Sequence, residues 1–80
     1  MEDVRRAIPR VEALIKEIDP ETIVQGTLYD EVSGRLFVTV VKGVRKKIFT
    51  LPGHYFDGDM EKVRQIIERN LQRLQEEPVG

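Results

Sequence analysis

The stretch RLFVTVVKGVRKKIFTL, residues 35 to 51, decides the fold. Two runs rich in β-branched and aromatic residues flank the turn signal Lys42-Gly43, the pattern of two strands joined by a tight connection. Upstream, TIVQGTLYD (22–30) is a third such run, set off by EVSG (31–34). Loops this short join antiparallel neighbours, so the runs predict a three-stranded meander with strands over residues 22–30, 35–42 and 44–51.

Helical periodicity appears on either side. Val4, Ile8, Val11, Ile15 and Ile18 recur three and four residues apart, with Leu14 widening the stripe, and predict a helix over residues 3–18 with Asp3 as its N-cap. Pro9 removes one helical hydrogen bond; because the stripe runs across it, a kink is expected there rather than a helix start. Asp19-Pro20 ends this element. Met60, Val63, Ile66, Ile67, Leu71 and Leu74 mark a second helix over residues 59–76, followed by Pro78 and a short tail, 77–80. Each helix has one apolar stripe and a polar back. The expected fold is therefore α+β: one small domain of order α-β-β-β-α, with both helices on one face of the meander.

Which side chains face the helices depends on register, and register on turn type. A two-residue Lys42-Gly43 loop would put Lys42 at positive φ, whereas three-residue loops, Val41-Lys42-Gly43 and Val32-Ser33-Gly34, need only glycine there. That choice pairs Val40 with Val44 and Glu31 with Arg35. It turns Val24, Leu28, Leu36, Val38, Val40, Val44 and Ile48 toward the helices, with Lys46 as an inward charge on the edge strand. The outer face then carries Gln25, Thr27, Tyr29, Arg35, Phe37, Thr39, Val41, Arg45, Lys47 and Phe49, with Phe37 between Tyr29 and Lys47. The two-residue alternative instead exposes Leu36, Val38 and Val40, an apolar surface that invites dimerisation.

Composition bounds the function. Eighty residues make one domain, and 40% hydrophobic with 34% charged residues is an ordinary folded composition. Without cysteine there is no disulfide framework, no thiolate nucleophile and no cysteine-rich zinc site. No apolar run has membrane length, and MEDVRRAIPR lacks the apolar centre of a signal peptide, so a cytoplasmic location is expected. The net charge is −1, yet residues 35–47 hold Arg35, Lys42, Arg45, Lys46 and Lys47 and no acid.

That basic hairpin supplies the candidate site. Tyr29, Phe37 and Phe49 interleaved with Arg35, Arg45 and Lys47 would stack bases and neutralise phosphate on the outer face. The plain reading of the same residues is cross-strand pairing on a wet sheet face. His54, Asp57 and Asp59 lie in one short loop with no other His or Cys to complete a metal site; strand end, turn and helix cap account for them. On the second helix, Arg64 and Glu68 form an i,i+4 pair on a solvated face, and the bases do not make it one-sidedly basic.

The element order resembles the double-stranded-RNA-binding domain, which implies RNA reading through a Gly-Pro-x-His first loop and a basic cluster opening the second helix. Here those places hold EVSG (31–34) and the acidic DGDMEK (57–62), so the resemblance is one of topology. The segment VTVVKGVRKKIFTLPG (38–53) with the helix after it is also similar to the arm-binding domains of phage integrases, over about half the chain. The expectation is a non-catalytic module with no cofactor and no metal. Nucleic acid is its first expected partner on the outer face, a protein partner or homodimer the second, and an enzyme the last.

Overall fold

A computed structural model describes residues 4–76. The order is a 3₁₀ turn Val4–Ala7, helix α1 Ile8–Ile18, strands β1 Ile23–Asp30, β2 Arg35–Lys42 and β3 Arg45–Pro52, a 3₁₀ turn Gly53–Phe56, and helix α2 Met60–Glu76. The strands form one antiparallel sheet in the order β1-β2-β3, and both helices pack against it. The α-β-β-β-α architecture expected from the sequence is the architecture observed.

Pro9 does not kink a long helix. The first turn is 3₁₀, and α1 begins at Ile8, which puts Pro9 in the opening positions where a helix needs no backbone N–H from it. The expected cap at Asp3 and the tail 77–80 lie outside the described residues. At the other end of the chain, Lys62 and Val63 N–H groups donate to the Asp59 carbonyl, which makes Asp59 the residue from which α2 starts.

The core lies between sheet and helices. Val4, Ala7, Val11 and Ile15 come from the N-terminal elements, Leu36, Val38, Val40, Phe49 and Leu51 from the sheet, and Val63, Ile67, Leu71 and Leu74 from α2, with Phe56 closing one end. α1 lies over β1 and α2 over β3. At the far end Gly53 donates to the Gly34 carbonyl at 2.8 Å, drawing the β3 exit against the first hairpin loop. A methyl group on Gly53 would stand 2.8 Å from that oxygen and 3.2 Å from a Val4 methyl.

The turns differ from the expected ones, and the faces change with them. Lys42 pairs with Arg45, so the second hairpin has the two-residue loop Gly43-Val44, with Gly43 at φ 62° in the first central position. This satisfies the need for positive φ without involving Lys42. Asp30 pairs with Arg35, so the first loop has four residues. Its extra residue is held by the Asp30 carboxylate, which accepts from Val32 N–H at 3.0 Å and Ser33 Oγ at 2.9 Å. Both changes reverse the parity of the outer strands relative to β2. Tyr29 and Phe49 therefore turn toward the helices, Leu28 and Ile48 turn outward, and Val44 stands in the turn at 82% exposed. Val24 still faces the helices, because the irregularity between Val24 and Gly26 reverses parity a second time.

Candidate interaction surface

The outer sheet face is built in four rows across the strands. From one end these are Asp30-Arg35-Pro52, Leu28-Phe37-Thr50, Gly26-Thr39-Ile48 and Ile23-Val41-Lys46. Ile23, Leu28 and Ile48 are 65%, 67% and 59% exposed, and Phe37 and Val41 are half-buried among them. Gly26 has no atom within 4 Å of where a side chain would begin, which leaves a shallow depression bounded by Leu28, Phe37, Thr39 and Ile48. Charge is confined to the ends. Asp30 and Arg35 stand in the first row and Lys46 in the last.

The six residues expected to form one outer surface are dispersed. Arg35 and Phe37 do lie on it, and Arg35 donates to Thr50 Oγ1 at 3.4 Å. Tyr29 lies on the helix side beneath the Arg5 guanidinium, 5.8 Å from its ring centre, and Arg5 also pairs with Glu31 at 2.8 Å. Phe49 is a core residue, 6% exposed. Arg45 and Lys47 share its parity and stand at the helix-side edge of β3. Lys46, expected inside, points outward. The exposed apolar set Ile23, Leu28 and Ile48 was missed, because its parity follows from the Asp30-capped loop and the Gly43-Val44 turn.

Two of the hairpin's bases hold helix ends. Lys42 Nζ donates to Asp19 Oδ2 at 2.7 Å, and Arg45 donates to the Gln75 carbonyl in the last turn of α2. Asp19 is buried beyond the end of α1 and also accepts from Glu21 N–H, Thr22 Oγ1 and Gln75 Nε2. The Lys42 bond, supported by Thr22, Gln75 and Glu21 and opposed by desolvation, lowers the Asp19 carboxyl from 3.8 to about 2. This cluster joins α1, β2 and α2, and its buried polar atoms are satisfied.

The loop that raised the metal question is built for packing. Phe56 is buried, the exposed His54 ring stands edge-on to Tyr55 at 4.5 Å, and Asp57 N–H closes the 3₁₀ turn on the His54 carbonyl. Among the described residues no three His, Cys, Asp or Glu side chains are grouped to hold a metal ion, and no helix is long and apolar enough to cross a membrane. The chain matches no protein-family model, no curated protein and no solved structure.

Proposed function

We propose that this chain is a non-catalytic interaction module that self-associates through the outer face of its sheet. The observation that carries this reading is the set of exposed apolar residues on a face that neither helix covers, with Leu28 and Ile48 beside Phe37 and Ile23 beside Val41. The largest contiguous apolar patch on a small protein, typically about 300–600 Å², is often functional. Three strands ~4.8 Å apart and eight residues long at ~3.3 Å each present on the order of 500 Å² of accessible surface, so two copies face to face bury roughly 1,000 Å². That is at the threshold of about 1,000 Å² for a biological interface, in the range of weak, concentration-dependent association.

A second copy fits the face for two reasons. Stacking two sheets ~10 Å apart would turn each open layer into a buried one, giving an α/β/β/α sandwich. Asp30 and Lys46 also occupy diagonally opposite corners. A two-fold axis lying between the sheets and perpendicular to that diagonal brings the acid of one copy over the base of the other. A stacking platform for single-stranded nucleic acid is the weaker reading of this face. It carries one aromatic ring, and its two bases lie at opposite ends.

Sedimentation velocity across a wide concentration range tests the reading. Dimer growing in with concentration supports it, with Ile48→Lys holding the chain monomeric. A wild-type chain that stays monomeric up to millimolar concentration contradicts it.

A further inference from the structure

The charges of α2 are sorted by flank. On the flank toward α1, Arg64 pairs with Glu68 at 2.9 Å and with Glu17 at 3.7 Å. Lys62, Arg69 and Arg73 fall together in a sector roughly 40° wide on the opposite flank, since successive helical residues are about 100° apart. The core contacts of Val63, Ile67, Leu71 and Leu74 and the Arg64–Glu17 pair fix the helix rotation, so this second flank overhangs β3 and the turn after it. Lys62 Nζ lies 5.3 Å from the Tyr55 ring centre in that turn, and Arg45 at the start of β3 meets Gln75 at the end of α2. The helix therefore runs antiparallel to β3, which brings Arg45 and Lys47 alongside Arg69 and Arg73.

Lys62, Arg69, Arg73, Arg45 and Lys47 thus line one edge of a molecule whose net charge is −1. Among the described residues, Glu76 is an acid at the margin of this strip, where Gln72 donates to it at 3.2 Å. Lys46 adds charge from the outer face of the same strand. From Lys62 to Arg73 the strip extends for about 17 Å along the helix, enough to span several phosphates of a duplex, which carries about one charge per 1.7 Å.

We infer that this edge, formed by α2 and β3, is a binding strip for the phosphate backbone of nucleic acid, read without base specificity. Three of its five bases are arginines, whose planar forks match phosphate oxygens. Protein interfaces centre on buried apolar anchors. The α2 side of the strip offers none, and on β3 the exposed Ile48 belongs to the outer sheet face. The acids left on the rest of the surface make the field bipolar, which orients an approaching polyanion toward this edge. The strip is separate from the apolar sheet face, so it stands or falls independently of self-association.

Fluorescence anisotropy with short labelled DNA and RNA duplexes tests it at about 50 and about 200 mM salt. Saturable binding to either duplex is expected, weakening on the order of 40-fold across that salt range if Lys62, Arg69 and Arg73 each neutralise one phosphate. The double variant Arg69→Glu/Arg73→Glu, at exposed positions, should weaken binding at least about tenfold, while the matched control Arg6→Glu/Lys16→Glu on the N-terminal elements changes it by less than about twofold. Circular dichroism establishes that both variants fold. The absence of saturable binding at low salt would overturn the inference. So would equal losses in the two variants, or tighter binding of polyglutamate than of either duplex.

Discussion

Lys42 donates a 2.7 Å bond to Asp19, and this contact fastens the end of β2 to the end of α1. The acid is buried while the ammonium is a quarter exposed, and Gln75 brings α2 to the same oxygen at 3.0 Å. A hairpin that reads as a basic surface in the sequence is in part an internal clamp. Removing the charge by Asp19→Asn is expected to destabilise the fold by about 2 kcal/mol, measured as a lower urea midpoint near neutral pH.

The same carboxylate gives a pH dependence with a definite sign. Its folded value, about 2, lies below its ordinary 3.8. A depressed carboxyl contributes fully above the unfolded value and loses that contribution as pH falls through the folded one. Stability should therefore fall between about pH 4 and pH 2 in the wild type. The gap between wild type and Asp19→Asn should narrow over that window. A gap unchanged from pH 6 to pH 2 would show that the Lys42 bond does not hold the acid ionised.

Val44 and Phe49 test the register of the second hairpin. With the Gly43-Val44 turn, Val44 is 82% exposed and Phe49 is core, so Val44→Ala should change stability by less than about 0.5 kcal/mol and Phe49→Ala should cost roughly 3–5 kcal/mol. The three-residue loop predicts the reverse order. Thermal or urea unfolding of the two variants decides between them.

Gly53 is required by proximity, not by its backbone angle. Gly53→Ala would force a methyl to 2.8 Å from the Gly34 carbonyl, so a loss of roughly 1–3 kcal/mol is expected. Gly26→Ala is the control. Nothing lies within 4 Å of its new methyl, and stability should hold within about 0.5 kcal/mol.

The fold was legible because it rests on periodicity. The stripe through Val63, Ile67, Leu71 and Leu74 and the β-branched runs around Gly34 and Gly43 mark helix and strands without reference to the rest of the chain. The whole face was legible only for β2, whose Leu36, Val38 and Val40 point inward as expected, and on β1 Val24 alone keeps its expected side. For β1 and β3 they depend on a one-residue choice at each turn. Glycine at positive φ was anticipated at Gly43, but in the last loop position instead of the first, which carries Phe49 to the opposite face. At the other hairpin the decisive group is the Asp30 side chain, whose bonds to Val32 and Ser33 lengthen the loop. What separates Arg64 from Lys62, Arg69 and Arg73 is its pair with Glu17, a contact between residues 47 apart in the chain.

The most direct test of the central claim is dilution of isotope-labelled protein followed by amide NMR. Self-association through the sheet predicts concentration-dependent shifts confined to outward residues, with Leu28, Phe37, Thr39 and Ile48 moving together and the helix backs of α1 and α2 unchanged. It also predicts that Leu28→Lys/Ile48→Lys abolishes the shifts and leaves a folded monomer, because both side chains are already more than half exposed. Shifts absent at every concentration, or centred on the helices, would contradict self-association through the sheet.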